Sequence, residues 1–142
     1  MAIERFSLPS TGNRPTPSQG FLSCFYAIAG VFHLALPGPF LRITPDWVPH
    51  PHAMIALTGI CELAGSVALL TPRFRRSAGW CLALYAVCVF PANIKHAAMD
   101  LSSAGGGLGY CYHLPRLALQ PVIVWWALYA GGVTRWPFRP DR

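Results

Sequence analysis

Ala53-Met54-Ile55-Ala56-Leu57-Thr58-Gly59-Ile60-Cys61-Glu62-Leu63-Ala64-Gly65-Ser66-Val67-Ala68-Leu69-Leu70 is an apolar run whose single charged side chain is Glu62. A helix that spans a bilayer needs roughly 17–25 residues, and this run has that length. A carboxylate at membrane depth costs at least about 2.5 kcal/mol, so it faces a bundle interior and has a partner or a task. The run therefore predicts a membrane crossing with a polar site beside it.

Comparable segments lie on both sides of it. One runs from about 20 to 36 and is stopped by Pro37-Gly38-Pro39. The 53–70 run itself ends at Thr71-Pro72 and the basic Arg73-Phe74-Arg75-Arg76. Further segments cover about 77–94 and about 114–133, the last after Gly105-Gly106-Gly107-Leu108-Gly109. Pro, Gly and charge are the expected punctuators of helices. Barrel strands would alternate polar and apolar residues, and these runs do not. The expected fold is all-α: an integral membrane four-helix bundle over residues 19–134. A flexible cytoplasmic tail is expected at 1–18 and a basic cytoplasmic tail at 135–142.

Composition points the same way. Of 142 residues, 54% are hydrophobic and 11% charged, with a mean hydropathy of +0.40. Soluble domains carry about 25% charged residues. The net charge of +6 is spread over connections and termini, which argues for membrane orientation and against a nucleic-acid partner. Eight of the 11 basic residues (Arg5, Arg14, Arg73, Arg75, Arg76, Arg135, Arg139, Arg142) fall on one side of the expected bundle. Arg42, Lys95 and Arg116 fall on the other. The positive-inside rule makes the first side cytoplasmic, with both termini there and the connections 37–52 and 95–113 facing outward. The localisation expected is a bacterial inner or plasma membrane, and no signal peptide is recognised at the N-terminus. The cysteines form no CxxC pair; Cys24, Cys61, Cys81 and Cys88 read as small buried hydrophobes, and Cys111 lies in a connection.

Depth brings several polar residues together. Glu62 stands nine residues past Ala53, about 14 Å into its helix and near the midplane. His33 lies near the outer end of the first helix, and Asn93 and His96 near that of the third. Gln120 is six residues into the fourth, about 9 Å from its outer end. Ser23, Tyr26, Gly30 and His33 share one helical face, as do Thr58, Glu62 and Ser66. Arg116, at i,i+4 from Gln120, either snorkels to head groups or turns inward as counter-charge to Glu62. Pro91 and Pro121 free the carbonyls of Val87 and Leu117. One outward-opening pocket follows, with Glu62 and His33 as candidate catalytic residues. Asn93, Gln120, Tyr26 and Arg116 are the candidate substrate-binding residues. The plainer alternative makes the same residues hydrogen-bonded struts that fix helix register. His50, His52, His96 and His113 read as solvated connection residues. A metal site from His33, Glu62 and His96 lacks short ligand spacing, and no metal is expected.

These motifs resemble the DoxX and DoxX-like family of small four-helix membrane proteins. The resemblance rests on Ala29-Gly30-Val31-Phe32-His33, Phe40, Pro45 to Pro49, Thr58 to Gly65 and Leu69-Leu70-Thr71-Pro72-Arg73. It continues through Phe90-Pro91-Ala92-Asn93-Ile94 and Leu114-Pro115-Arg116 to Gln120, covering about residues 20–133 in order. It implies that His33, Glu62, Asn93 and Gln120 are recurrent intramembrane polar positions. It also implies a quinone- or redox-associated oxidoreductase or a subunit of one, with quinone as the candidate cofactor. The lipid bilayer, a redox partner subunit and further copies of the chain are the candidate partners. Two alternatives stay open: a non-redox membrane enzyme acting on a lipid-like substrate, of isomerase type, and a non-catalytic accessory or assembly subunit.

Overall fold

The computed structural model describes residues 14–103 and 108–136. Most of the tail expected at 1–18, the glycines at 105–107, and the tail beyond residue 136 with its Arg139 and Arg142 lie outside the described residues. Among the described residues all regular structure is helical: α1 (Pro17–Ala35), α2 (Pro37–Ile43), α3 (Pro51–Leu70), α4 (Arg75–Ser102), α5 (Gly109–Ala118) and α6 (Gln120–Ala130). Three of these, α1, α3 and α4, are long and apolar enough to cross a membrane.

Local chemistry sets the boundaries. Thr16 caps α1 through a reciprocal box with Gln19, and Pro17 takes the first helical position, where its missing N–H costs nothing. The helix therefore starts a few residues before the expected position. Pro37-Gly38-Pro39 ends α1 and at once opens the short α2, a helix the sequence reading left as a connection. The third crossing, expected to stop near 94, runs on to Ser102 without a break at Pro91. Its 28 residues span about 42 Å, more than the roughly 30 Å of hydrocarbon in a bilayer. Lys95 and Asp100 lie inside α4 and do not end the helix. The expected fourth helix is two pieces. Pro121 offers no N–H to Leu117, yet Leu119 keeps right-handed helical angles and its N–H still donates to Pro115 O at 2.8 Å. The backbone stays helical through this point.

Helix α1 packs along α3, α6 along α4, and α3 contacts α4 between the two pairs. Backbones meet where side chains are absent. A Cβ on Gly30 would fall 2.8 Å from the Gly59 carbonyl oxygen, and one on Gly79 would fall 2.8 Å from the Gly131 Cα. Such small-residue contacts let helices approach where lipid supplies no hydrophobic drive. Polar cross-links pin the pairs. Ser23 Oγ donates to Ser66 O at 2.8 Å, Gln19 Nε2 to Ala130 O at 2.9 Å, and Trp126 Nε1 to Ser18 Oγ at 2.8 Å. The buried core is small, with Leu22, Tyr26, Leu69 and Leu82 set among alanines, while Phe21, Val67, Trp80 and Leu84 are exposed. Cys24, Cys61, Cys81 and Cys88 point outward with these residues, not into the core as expected. Small residues occupy the helix–helix faces, so the larger thiol side chains go to the outer surface.

Candidate functional site

A cavity of about 610 Å³ lies between the helices. It is walled by the C-terminal half of α1, the middle of α4, the first part of α3 as far as Glu62 and the N-terminal half of α6, with α2 and α5 across its end. All six residues singled out in the sequence, Tyr26, His33, Glu62, Asn93, Arg116 and Gln120, line it. Most of the remaining wall is apolar or aromatic, including Phe25, Phe40, Ile55, Val89 and Ile123. Such a surface suits a ligand of mainly hydrocarbon body.

At one wall, Glu62 is 3% exposed and both carboxylate oxygens are occupied. Tyr85 Oη donates to Oε1 at 2.7 Å, and His33 Nδ1 lies 2.7 Å from Oε2. The same Nδ1 lies 3.0 Å from the carbonyl oxygen of Ala29, which can only accept. One nitrogen facing two acceptors must carry the proton, so the ring is held with Nδ1–H and Nε2 is the atom left for a ligand. Among the described residues Nε2 has no partner, and the ring stacks on Phe40 with centroids 3.8 Å apart. The carboxylate orients the imidazole and leaves its outer nitrogen facing a ligand as a hydrogen-bond acceptor.

At the other wall, two amides act in series. Gln120 Nε2 donates to Ala86 O, and Asn93 Nδ2 donates to Gln120 Oε1 at 3.1 Å. Asn93 Oδ1 accepts from Arg116 Nη2 at 2.7 Å, and His96 Nδ1 accepts from Arg116 Nη1 at 3.1 Å. Arg116 has therefore turned inward, but its partners are Asn93 and His96, not Glu62. The carbonyl that Gln120 bonds belongs to Ala86, one residue before the Val87 carbonyl that Pro91 frees. Tyr26 sits between the walls, its ring edge-on to Tyr85 at 6.1 Å and its hydroxyl 3.4 Å from Leu82 O.

Residues outside the expected set complete the site. Tyr85 was missed, although it shares a helical face with Val89, Ala92 and Asn93. Phe40, which the resemblance includes without a site role, is carried to His33 by the short helix α2. His113, read as a solvated residue, is 1% exposed within α5; its Nε2 lies 2.8 Å from Asp100 Oδ2, which also accepts from the Leu108 backbone N–H at 2.6 Å. His96, Asp100 and His113 bring their ligand atoms within 4.8 Å of one another, a grouping different from the His33, Glu62 and His96 set considered from sequence. Here the carboxylate is engaged by two N–H donors and His96 Nδ1 by Arg116. The group works as a clasp joining α4 to the start of α5. Lys95 forms a second clasp, donating to Thr44 O at 2.7 Å and Asp46 Oδ1 at 2.8 Å, which ties α2 down over the cavity. His50 and His52 are exposed and away from the cavity wall.

No curated protein and no solved structure matches the chain. A family model described as a domain of unknown function, DUF8561, matches residues 22–130, a span that holds every residue lining the cavity. The protein is a member of the family that this domain, DUF8561, defines.

Proposed function

We propose that the chain is a DoxX-like integral membrane protein of four crossings that binds a lipid-soluble oxygenated molecule, of the quinone class, and exchanges a proton with it. The observation that carries this reading is the His33–Glu62–Tyr85 set at the wall of an apolar cavity, with His33 Nε2 unpartnered among the described residues. Reduction of a quinone takes up electrons and protons in equal number. His33 Nε2 handles a proton, Glu62 holds the ring in register, and a redox partner subunit supplies the electrons. The fourth crossing is α5 and α6 taken together, since the backbone stays helical through Leu119. The distribution of Lys and Arg supports cytoplasmic termini and a cavity toward the outer side. The outward-facing Phe21, Val67, Trp80 and Leu84 support a location in the bacterial inner or plasma membrane, in contact with lipid.

A second reading uses the same geometry without electrons. A carboxylate-oriented imidazole is sufficient for moving a proton along a lipid-like substrate, as in a double-bond isomerase. An accessory subunit rests instead on the amide series Asn93–Gln120–Ala86, which fixes the register of α4 against α6.

Native mass spectrometry of the gently purified protein, with extraction of its bound lipids, tests the leading reading. A co-purifying quinone that is lost in Glu62→Gln is the expected result. Protein that carries none, and takes up none when incubated with short-chain quinones, overturns it in favour of the accessory role.

A further inference from the structure

We infer that the ligand of this cavity presents an anionic oxygen to Arg116. The inference rests on the reading that the cavity takes a lipid-soluble ligand, and it specifies which chemistry that ligand carries at one end. Among the described residues there are three carboxylates, and each is hydrogen-bonded away from Arg116: Asp46 to Lys95, Glu62 to His33 and Tyr85, Asp100 to His113. None remains for Arg116, whose partners are the neutral oxygen of Asn93 and a ring nitrogen of His96. A guanidinium has more N–H donors than these contacts use, and its remaining donors have no partner among the described residues.

The side chain is nevertheless held. Ala86 O fixes Gln120, Gln120 fixes Asn93, and Asn93 Oδ1 and His96 Nδ1 aim the guanidinium, which also lies 5.9 Å from the Tyr112 ring centroid. Such a series fixes a cation in place without neutralising it. A cation turned to lipid head groups would direct its donors outward, whereas Arg116 spends donors inward and lines the cavity. In surroundings this apolar, an oriented and unpaired guanidinium gains most from an oxyanion, which it can bind through paired charge-assisted hydrogen bonds. The aromatic and aliphatic wall then receives the ligand body. Two sources share this chemistry: the carboxylate of a fatty-acid-like amphiphile, and the ionised hydroxyl of an acidic quinone.

Isothermal titration in phosphate- and phospholipid-free detergent tests the inference with two probe pairs. One pair is dodecanoic acid and its methyl ester; the other is a hydroxynaphthoquinone and its methyl ether. In the wild type, the acid of one pair is expected to bind at least about tenfold tighter than its neutral partner. Which pair shows the preference identifies the source. In Arg116→Gln the ratio is expected to fall toward unity, and Arg116→Lys to keep part of it. Equal affinities within both pairs in the wild type overturn the inference, and that comparison needs no variant. A ratio unchanged in Arg116→Gln overturns it as well. Binding of neutral quinone with no preference for either acid leaves the pocket reading standing, whereas failure of all four probes to bind overturns both.

Discussion

His33 is a histidine whose working nitrogen is decided by a carbonyl. Ala29 O and Glu62 Oε2 both face Nδ1, so the proton sits there and Nε2 is open to the cavity. Replacing Glu62 with Gln leaves the Ala29 carbonyl facing Nδ1, and the amide can turn its oxygen to the ring and its N–H to Tyr85. The ring is then expected to keep its proton on Nδ1. Nitrogen NMR of selectively labelled histidine checks this: the wild type and Glu62→Gln should both report Nδ1–H for His33. A wild-type ring already protonated at Nε2 alone contradicts the assignment. The cost of a carboxylate in an apolar run made Glu62 legible in the sequence, and helical depth made His33, Asn93 and Gln120 legible. Tyr85 was not, because a tyrosine in an apolar helix is equally at home in a core or at an interface, and only the Oη–Oε1 contact distinguishes these cases.

The long helices were legible as elements for the same reason as Glu62: lipid-length apolar runs leave few alternatives. Their ends were legible only in part. Thr16 and Gln19 form a capping box that the sequence displays outright, yet the polar tail before them obscured it. At Pro37 one proline both stops a helix and starts another, which spacing does not resolve, and in α4 the charges at Lys95 and Asp100 imitated a connection. Glycine spacing suggested close packing without saying which contacts are backbone to backbone, and here the structure discriminates. Gly79→Ala sets a Cβ 2.8 Å from the Gly131 Cα, so α4 and α6 must separate. Gly65→Ala meets only the Leu82 side chain, at 2.5 Å, and that side chain can rotate away. Gly20→Ala meets nothing within 4 Å. Unfolding in detergent is expected to show Gly79→Ala destabilised by about 1–3 kcal/mol, Gly65→Ala by less, and Gly20→Ala unchanged or stabilised by up to about 1 kcal/mol. Equal losses at Gly79 and Gly20 would show that the α4–α6 backbone contact is wrong.

At the scale of the whole molecule, several polar side chains are buried while many large apolar ones are exposed. Glu62, Gln120, His113, Ser23 and Ser66 are buried, while Phe21, Val67, Trp80 and Leu84 are exposed. The interior combines a small apolar core around Leu22, Leu69 and Leu82 with small-residue contacts and hydrogen bonds. The free thiols turn the exposed surface into a measurement. Cys24 on α1, Cys61 on α3 and Cys81 and Cys88 on α4 are all exposed on the molecular surface, and Cys111 lies at the cavity end on α5. In water alone, each of these thiols would be open to a charged maleimide. In the proposed bilayer the four on α1, α3 and α4 face hydrocarbon, which a charged reagent does not enter. Labelling of native membranes with a membrane-impermeant maleimide is therefore expected to spare Cys24, Cys61, Cys81 and Cys88. All four are expected to react after transfer to denaturing detergent. Cys111, nearest the expected outer surface, is the one expected to label without solubilisation, and only from the side opposite Arg73, Arg75 and Arg76. Rapid labelling of Cys61 and Cys88 in intact membranes would refute a lipid-facing surface, and labelling of Cys111 from the cytoplasmic side would invert the orientation while leaving the cavity and its polar walls unchanged.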